Sequence, residues 1–195
     1  MKGLRIGFYQ PLDVRLLRRH CPAILLFSCL CLPWLLFLPE GKMRAAGSLF
    51  AVLLVLLAVL DSCYGFLYDR LLLPLGAAGF GLEVFGVLPH GVTEALAAAA
   101  AAGGLFWGLR WLSRGGLGLG DVKFAAVLGL WLGLRGVAVA MALAVLMGGC
   151  LAVFLLLRGW KSGEALPFGP FLSLGAYAAY LFGDIIWQCY WEMIL

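Results

Sequence analysis

The sequence has few charged residues and no long polar stretch. Only 12% of its 195 residues are charged, 64% are hydrophobic, and the mean hydropathy is +1.03. Soluble domains are roughly half apolar and a quarter charged, so this composition excludes an ordinary soluble domain and predicts a polytopic membrane protein. The net charge of +4 is small and dispersed, which argues against nucleic-acid binding and leaves the lipid bilayer as the expected surrounding.

The sequence also lacks the usual signals of a metal or redox site. None of its six cysteines forms a CxxC pair, so we expect them to act as small buried hydrophobic residues. The two histidines, His20 and His90, are far apart and are expected at the membrane interface. No serine–histidine pair or metal cluster stands out, and the sequence predicts no cofactor.

Long apolar segments predict an all-α bundle of about seven membrane-spanning helices. The predicted spans are residues 21–38, 45–66, 71–88, 93–109, 118–134, 136–157 and 167–183. The first is too long for a cleaved signal sequence, and no A-x-A site follows it. Residues 1–20 are therefore predicted to be a basic cytoplasmic segment, and residues 21–195 one membrane-embedded domain. Thr93 is expected to cap a helix with Glu94 in its first turn, and the aromatic-rich end of the chain is expected at the interface.

The distribution of lysine and arginine predicts the orientation of these spans. With the N-terminus inside, the inner segments carry eleven of these residues and the outer loops carry three. Cytoplasmic loops are enriched in lysine and arginine, so the predicted topology is N-in and C-out.

Four of the ten acidic residues lie within or beside the predicted spans: Asp61, Asp69, Glu83 and Asp121. An acid at membrane depth is energetically costly and is therefore a candidate functional residue. Glu83 lies toward the outer end of its span and is expected to reach the interface. In the predicted topology, Asp61 ends a descending span and Asp121 begins a rising one, so both lie near the inner face.

Small residues around Asp121 predict a close approach by another helix. Asp121, Ala125, Gly129 and Gly133 recur every four residues and share one helix face. The glycines just before the acid are expected to let the backbone turn and a substrate strand approach.

Two neighbouring carboxylates cannot both ionise and therefore share a proton. One can then act as a general base on water while the other, protonated, polarises a carbonyl, which is the chemistry of aspartic proteolysis. Two structural alternatives remain open. Asp121 could cap its helix or pair with Lys123, and Asp61 could pair with an arginine at the inner face.

Three segments resemble the type IV prepilin peptidases, a family of membrane aspartic proteases. "GLGLGDVKFAAVLGLWLG" resembles the family's GxGD motif, "DSCYGFLYDRLLLPLG" its earlier acidic segment and "PFGPFLSLGAYAAYLFG" its closing segment. The resemblance covers residues 45–183 and implies that Asp61 and Asp121 are catalytic. Further residues on the same inner side are interpreted as positioning or substrate-contacting residues: Gly118, Gly120, Asp69, Lys123, Phe168, Gly169 and Pro170.

The resemblance implies an endopeptidase of the bacterial inner membrane, with its active site near the cytoplasmic face. Its substrates would be type IV pilin-like or pseudopilin precursors, from which it removes a basic leader without a metal or cofactor. The paired-CxxC insert of the methylating members is absent, which implies cleavage without N-methylation. Tyr68 stands where the family commonly has proline.

Two alternatives belong to other classes. "YD" at residues 68–69 followed by "GLGD" also resembles the presenilin and signal-peptide-peptidase pattern, in which Asp69 would be the first catalytic acid. Asp69 adjoins Arg70, however, and an ordinary salt bridge is available there. A non-catalytic carrier or assembly factor could instead use Asp61 and Asp121 as a proton or ion site, although no inverted repeat is evident.

Overall fold

The computed structural model describes residues 41–114, 116–159 and 167–194. Within these ranges the chain forms α-helices and no β-strand, which confirms the predicted all-α class. The helices are α1 (Gly41–Tyr64), α2 (Asp69–Val84), α3 (Val92–Leu112), α4 (Leu119–Leu157) and α5 (Gly169–Ile194). The predicted basic segment 1–20 and the first predicted span, 21–38, lie outside the described residues.

Four of these helices, α1, α3, α4 and α5, are long and apolar enough to cross a membrane. Many large apolar side chains on all five helices are exposed, as expected where lipid rather than water surrounds the helices. At 16 residues, α2 is about 24 Å long, which is shorter than a hydrocarbon core of about 30 Å. The chain is thus a multi-pass membrane protein, while the count of seven spans and the N-in/C-out orientation stay predictions.

The long helix α4 is interrupted at Gly133, whose φ of 63° and ψ of −174° are not helical. Before this break, α4 packs against α3, and a Cβ added at Gly129 would lie 2.5 Å from the backbone nitrogen of Ala99. After the break, α4 packs against α5, where Gly175 lies directly against the backbone of Ala140.

The second half of α4 runs antiparallel to α5. Gly136 lies beside Gly183 near the end of α5, whereas Gly148 lies beside Phe168 just before its beginning. Phe168 also packs on Phe106 near the end of α3, so the chain direction reverses at the break. The two halves correspond to the separate spans predicted at residues 118–134 and 136–157.

Trp131 joins three helices in the core. Its ring stacks on Phe50 of α1, with the ring centroids 4.6 Å apart, and its Nε1 donates a 2.9 Å hydrogen bond to the carbonyl of Leu75 in α2. A Cβ added at Gly79 would lie 2.6 Å from the indole ring. The small residue on α2 therefore makes room for the largest buried side chain.

Three local predictions are wrong. Helix α3 is capped by Gly91, whose φ is 82°, rather than by Thr93, because the glycine makes the turn into the helix earlier; Glu94 does lie in the first turn. Helix α5 continues to Ile194, eleven residues beyond the predicted 183, since no proline interrupts it. Three cysteines expected to be buried are exposed, namely Cys63, Cys150 and Cys189.

Candidate active site

Asp61 lies in the last turn of α1 and is buried, with only 5% of the residue exposed. Its Oδ2 accepts a 2.9 Å hydrogen bond from the backbone N–H of Gly169, the first residue of α5. A helix N-terminus offers unpaired N–H groups and favours an anion, so it is a suitable partner for a carboxylate. The arginine partner considered for this acid is replaced by a backbone donor.

Gly169 is required by the close contact with this acid. A Cβ at Gly169 would lie 2.6 Å from Oδ2 of Asp61 and 3.0 Å from its Cβ. Pro170 follows in the first turn, where a missing N–H costs nothing. Phe168 packs its ring against Phe106, with centroids 6.0 Å apart. The 168–170 segment thus positions the Asp61 carboxylate through Gly169 and anchors itself through Phe168.

Asp121 lies in the first turn of α4, three residues after the N-cap Gly118. Its carboxylate faces the backbone N–H of Gly118, as acidic residues at this position do when they help to cap a helix. Asp121 therefore helps to cap α4, which is one of the alternatives considered from the sequence. The Asp121 carboxylate still lies on the same side of the bundle as Asp61.

The structure brings Asp61 and Asp121 together at one end of the bundle. The two carboxyl groups interact electrostatically, although they belong to the end of α1 and the beginning of α4. The prediction from topology that the two acids lie at the same level agrees with this arrangement.

Gly120 makes the approach of these two segments close. A Cβ at Gly120 would lie 2.8 Å from the Cβ of Leu67, in the segment that follows Asp61. Leu67 occupies the space beside Gly120, and admission of a substrate strand by this glycine stays a prediction. Neither Gly118 nor Gly120 has a positive φ, so close packing explains these glycines rather than an unusual turn.

The small-residue stripe that follows Asp121 contacts a different helix from the one that carries Asp61. Gly129 lies against Ala98 and Ala99 of α3, whereas Gly133 lies against the ring of His90. The stripe does permit a close approach, as predicted, but it joins α4 to α3 rather than to α1.

Asp69 forms an ion pair with Lys123, whose Nζ lies 2.8 Å from Oδ1 and 2.7 Å from Oδ2. The pair joins the beginning of α2 to the first turn of α4, and both side chains are about half exposed. A salt bridge to the neighbouring Arg70 was considered for Asp69. The approach of the two helix ends instead places Lys123 over Asp69.

Tyr68, which stands where the sequence resemblance implies a proline, precedes α2 in an extended conformation with φ −78° and ψ 121°. Proline fixes φ near −65 ± 15°. The tyrosine therefore adopts a backbone geometry that proline would also allow, and the turn into α2 does not depend on the substitution.

Sequence reasoning missed the environment of Glu83. This residue is buried by the protein, with only 3% of it exposed. Its Oε2 accepts a 3.0 Å hydrogen bond from the N–H of Gly91, and it interacts electrostatically with His90 and Glu94. His90, predicted to be isolated, packs on Gly133 at the break in α4.

Sequence reasoning also missed the contacts that hold the segment before the GxGD motif. The Nη1 of Arg110 donates a hydrogen bond to the carbonyl of Leu117. The N–H of Leu117 donates a 3.3 Å hydrogen bond to the Oγ of Ser113. These side chains lie at the end of α3 and fix the connection to α4. Within the described ranges, no three histidine, cysteine or acidic side chains are arranged as metal ligands.

Comparison with known proteins identifies relatives of this chain. A family model described as the type IV leader peptidase family matches residues 48–153. A prepilin leader peptidase/N-methyltransferase of Burkholderia pseudomallei (strain 1026b) is 39% identical over 155 residues, which cover 76% of this chain and 49% of the relative. No solved structure matches the chain.

Two further relatives carry the same description. That of Aeromonas salmonicida (strain A449) is 33% identical over 163 residues, covering 81% of this chain and 56% of the relative. That of Pseudomonas aeruginosa is 34% identical over 143 residues, covering 70% and 49%. The chain spans about half the length of the curated relatives it matches. Asp61 and Asp121 both lie within the residues that the family model matches.

Proposed function

Because the chain belongs to the type IV leader peptidase family, we propose that it is an aspartic endopeptidase that removes the basic leader from type IV pilin-like precursors. The observation that carries this proposal is the meeting of Asp61 and Asp121 at one end of a membrane-embedded bundle. The printed descriptions of the relatives, which name them as prepilin leader peptidases, support the substrate class.

The proposed mechanism uses the two acids as one unit that holds a single proton between them. The ionised carboxylate takes a proton from water, whose oxygen attacks the carbonyl carbon of the scissile peptide bond. The protonated carboxyl donates its proton to the carbonyl oxygen. Collapse of the tetrahedral intermediate breaks the C–N bond, and the leaving amine takes up a proton from the dyad. One hydroxyl of the intermediate returns its proton to the ionised carboxylate as the new carbonyl forms, which leaves the dyad with its single proton.

Other residues at this end are proposed to position the dyad rather than to react. Gly169 orients Asp61 through its N–H, Gly118 faces Asp121, and Gly120 allows the two segments to approach. The ion pair between Asp69 and Lys123 is proposed to hold the beginnings of α2 and α4 together beside the dyad.

The proposed location of cleavage is the cytoplasmic face of the bacterial inner membrane. The bias of eleven inner against three outer lysines and arginines supports this orientation. A precursor with a basic leader and a hydrophobic helix would then lie with its leader inside and its helix in the bilayer. The boundary between them would reach the depth of the two acids.

Cleavage is proposed to occur without N-methylation, although the printed descriptions of the relatives include N-methyltransferase activity. Support comes from the lack of a CxxC pair in the 195 residues. Incubation with a prepilin and S-adenosylmethionine, followed by mass spectrometry of the new N-terminus, tests this point. An unmodified amine is expected, and a methylated one would contradict it.

The dyad is tested by cleavage of a prepilin in membranes that contain the full chain. Asp61→Asn and Asp121→Asn should each insert normally but lose cleavage by roughly a hundredfold or more. Asp184→Asn is the matched control, because Asp184 is an exposed acid on α5, and it should cleave normally. Asp69→Asn should lower cleavage no more than severalfold, because Asp69 is proposed to position the dyad rather than to react.

Each contrary result has a definite meaning. Normal cleavage by Asp61→Asn or Asp121→Asn would overturn the dyad. Loss of cleavage in Asp69→Asn with normal cleavage in Asp61→Asn would instead favour the presenilin-like pairing of Asp69 with Asp121.

A further inference from the structure

A shallow cavity of about 250 Å³ lies at the end of α3. Its lining consists of two tryptophans and two arginines: Trp107, Arg110, Trp111 and Arg114. Trp107, Arg110 and Trp111 are three and four residues apart and share one face of α3. Arg114 follows Ser113, the C-cap of this helix. Trp107 is 60% exposed and Trp111 is 82% exposed, so the core does not account for either indole.

The two arginines have donors available for an anion. Within residues 41–114, 116–159 and 167–194, neither guanidinium forms an ion pair with a carboxylate. One N–H of Arg110 is used by the carbonyl of Leu117, but a guanidinium has five such donors. Arg114 is exposed. Arginines that have no carboxylate partner and lie beside aromatic rings form a suitable site for a phosphate group.

The backbone of Arg114 has a conformation that arginine rarely adopts. Its φ is 51°, and it is the only non-glycine residue in the described part of the chain with a positive φ. It directly follows Ser113, the C-cap of α3, and glycine or asparagine usually takes that position. The backbone geometry therefore disfavours an arginine here. A positive charge does suit the C-terminus of a helix, but Arg110 in the last turn already provides one.

The position of the cavity indicates which phosphate compound would bind. Helix α3 is long and apolar enough to cross a membrane and ends at this cavity, and tryptophans concentrate at the level of lipid headgroups. Toward the membrane interior, the same face continues through the exposed small residues Ala100 and Gly104. No heavy atom lies within 4 Å of a Cβ added at Gly104, which leaves room for an acyl chain.

We propose that Trp107, Arg110, Trp111 and Arg114 form a binding site for the phosphate headgroup of an anionic phospholipid. The basic leader proposed for the substrate would be repelled by two arginines, which disfavours the leader as the occupant of this site. This assignment does not depend on the peptidase activity. Arg110 joins the site to the GxGD segment through the carbonyl of Leu117.

The site is tested by lipid retention in native mass spectrometry of the full chain in detergent. The protein is titrated with phosphatidylglycerol or with phosphatidylcholine of the same acyl composition, and phosphatidylglycerol should be retained preferentially. Arg114→Asn removes one charge and suits the left-handed backbone, so the variant should fold. It should weaken phosphatidylglycerol retention roughly fivefold and leave phosphatidylcholine retention unchanged.

Arg158→Asn is the matched control, because Arg158 is an exposed arginine at the end of α4, outside the cavity, with its guanidinium over the ring of Phe154. It carries the same charge change and should retain phosphatidylglycerol as the parent does. Equal retention of the two lipids, or the same loss in Arg158→Asn, would overturn the proposal. Displacement of phosphatidylglycerol by inorganic phosphate at an equal concentration would overturn it as well, since a free-phosphate site would then explain the arginines.

Discussion

The backbone N–H of Gly169 donates a 2.9 Å hydrogen bond to Oδ2 of Asp61. The donor is the first residue of α5 and the acceptor lies in the last turn of α1. The first N–H groups of a helix have no intrahelical partner, and the helix dipole favours an anion there. One contact between residues 108 positions apart therefore fixes the direction of the carboxylate and joins α1 to α5.

Substitution of Gly169 by alanine should impair catalysis more than folding. The new Cβ would meet Oδ2 of Asp61 at 2.6 Å, so the carboxylate must move. A displacement of about 1 Å in a catalytic group can lower the rate roughly a hundredfold. Prepilin cleavage by Gly169→Ala in membranes is expected to fall by roughly tenfold to a hundredfold, with normal insertion.

The control for this variant is Gly149→Ala in the second half of α4, where an added Cβ meets no heavy atom within 4 Å. It should cleave as the parent does. Equal losses in the two variants would show that the contact with Asp61 is not the cause.

Substitution of Gly129 by alanine should destabilise the bundle. The new Cβ would lie 2.5 Å from the nitrogen of Ala99 and 2.6 Å from the carbonyl carbon of Ala98. Both are backbone atoms, so α3 and α4 must separate. Overpacking of this kind costs about 1–3 kcal/mol, which unfolding in mixed micelles can measure.

Gly104→Ala is the matched control on α3, because its added Cβ would meet open space. It should be neutral or slightly stabilising, since alanine favours a helix more than glycine does. A loss of stability in Gly104→Ala as large as that in Gly129→Ala would contradict the packing argument.

The sequence predicted the helices and the meeting of the two acids because both depend on patterns along the chain. Long apolar segments specify where helices occur. The alternation of spans then places the end of α1 and the beginning of α4 at the same end of the bundle. Asp61 and Asp121 could therefore be paired from the sequence.

The partners of individual side chains could not be predicted because they depend on the rotation of each helix about its axis. That rotation turns Gly129 toward α3 rather than α1, and sets Lys123 over Asp69. It also buries Glu83 beneath the Gly91 turn. In a chain with apolar residues on all sides of its helices, hydrophobic periodicity carries little information about rotation.

The ion pair between Asp69 and Lys123 should contribute little to stability. Both side chains are about half exposed, and exposed pairs typically contribute about 0.2–1 kcal/mol. A double-mutant cycle with Asp69→Asn and Lys123→Gln, measured by unfolding, should give a coupling energy in this range. A coupling above about 3 kcal/mol would indicate a buried pair and contradict the observed exposure.

Glu83 should tolerate loss of its charge but not loss of its hydrogen-bond acceptor. Its Oε2 satisfies the N–H of Gly91 at 3.0 Å, and in the described part of the chain its Oε1 has no hydrogen-bond partner. Glutamine keeps an acceptor oxygen and avoids a buried charge, so Glu83→Gln should unfold within about 1 kcal/mol of the parent.

Alanine at this position would remove the acceptor of the Gly91 N–H in the turn before α3, and loss of such a hydrogen bond costs about 0.5–1.5 kcal/mol. Glu83→Ala should therefore be less stable than Glu83→Gln by that amount, measured by unfolding in detergent. Glu192→Gln, at an exposed acid near the end of α5, controls for a general effect of removing negative charge. If Glu83→Gln loses as much stability as Glu83→Ala while Glu192→Gln loses none, the charge on Glu83, set against His90, is what stabilises the turn.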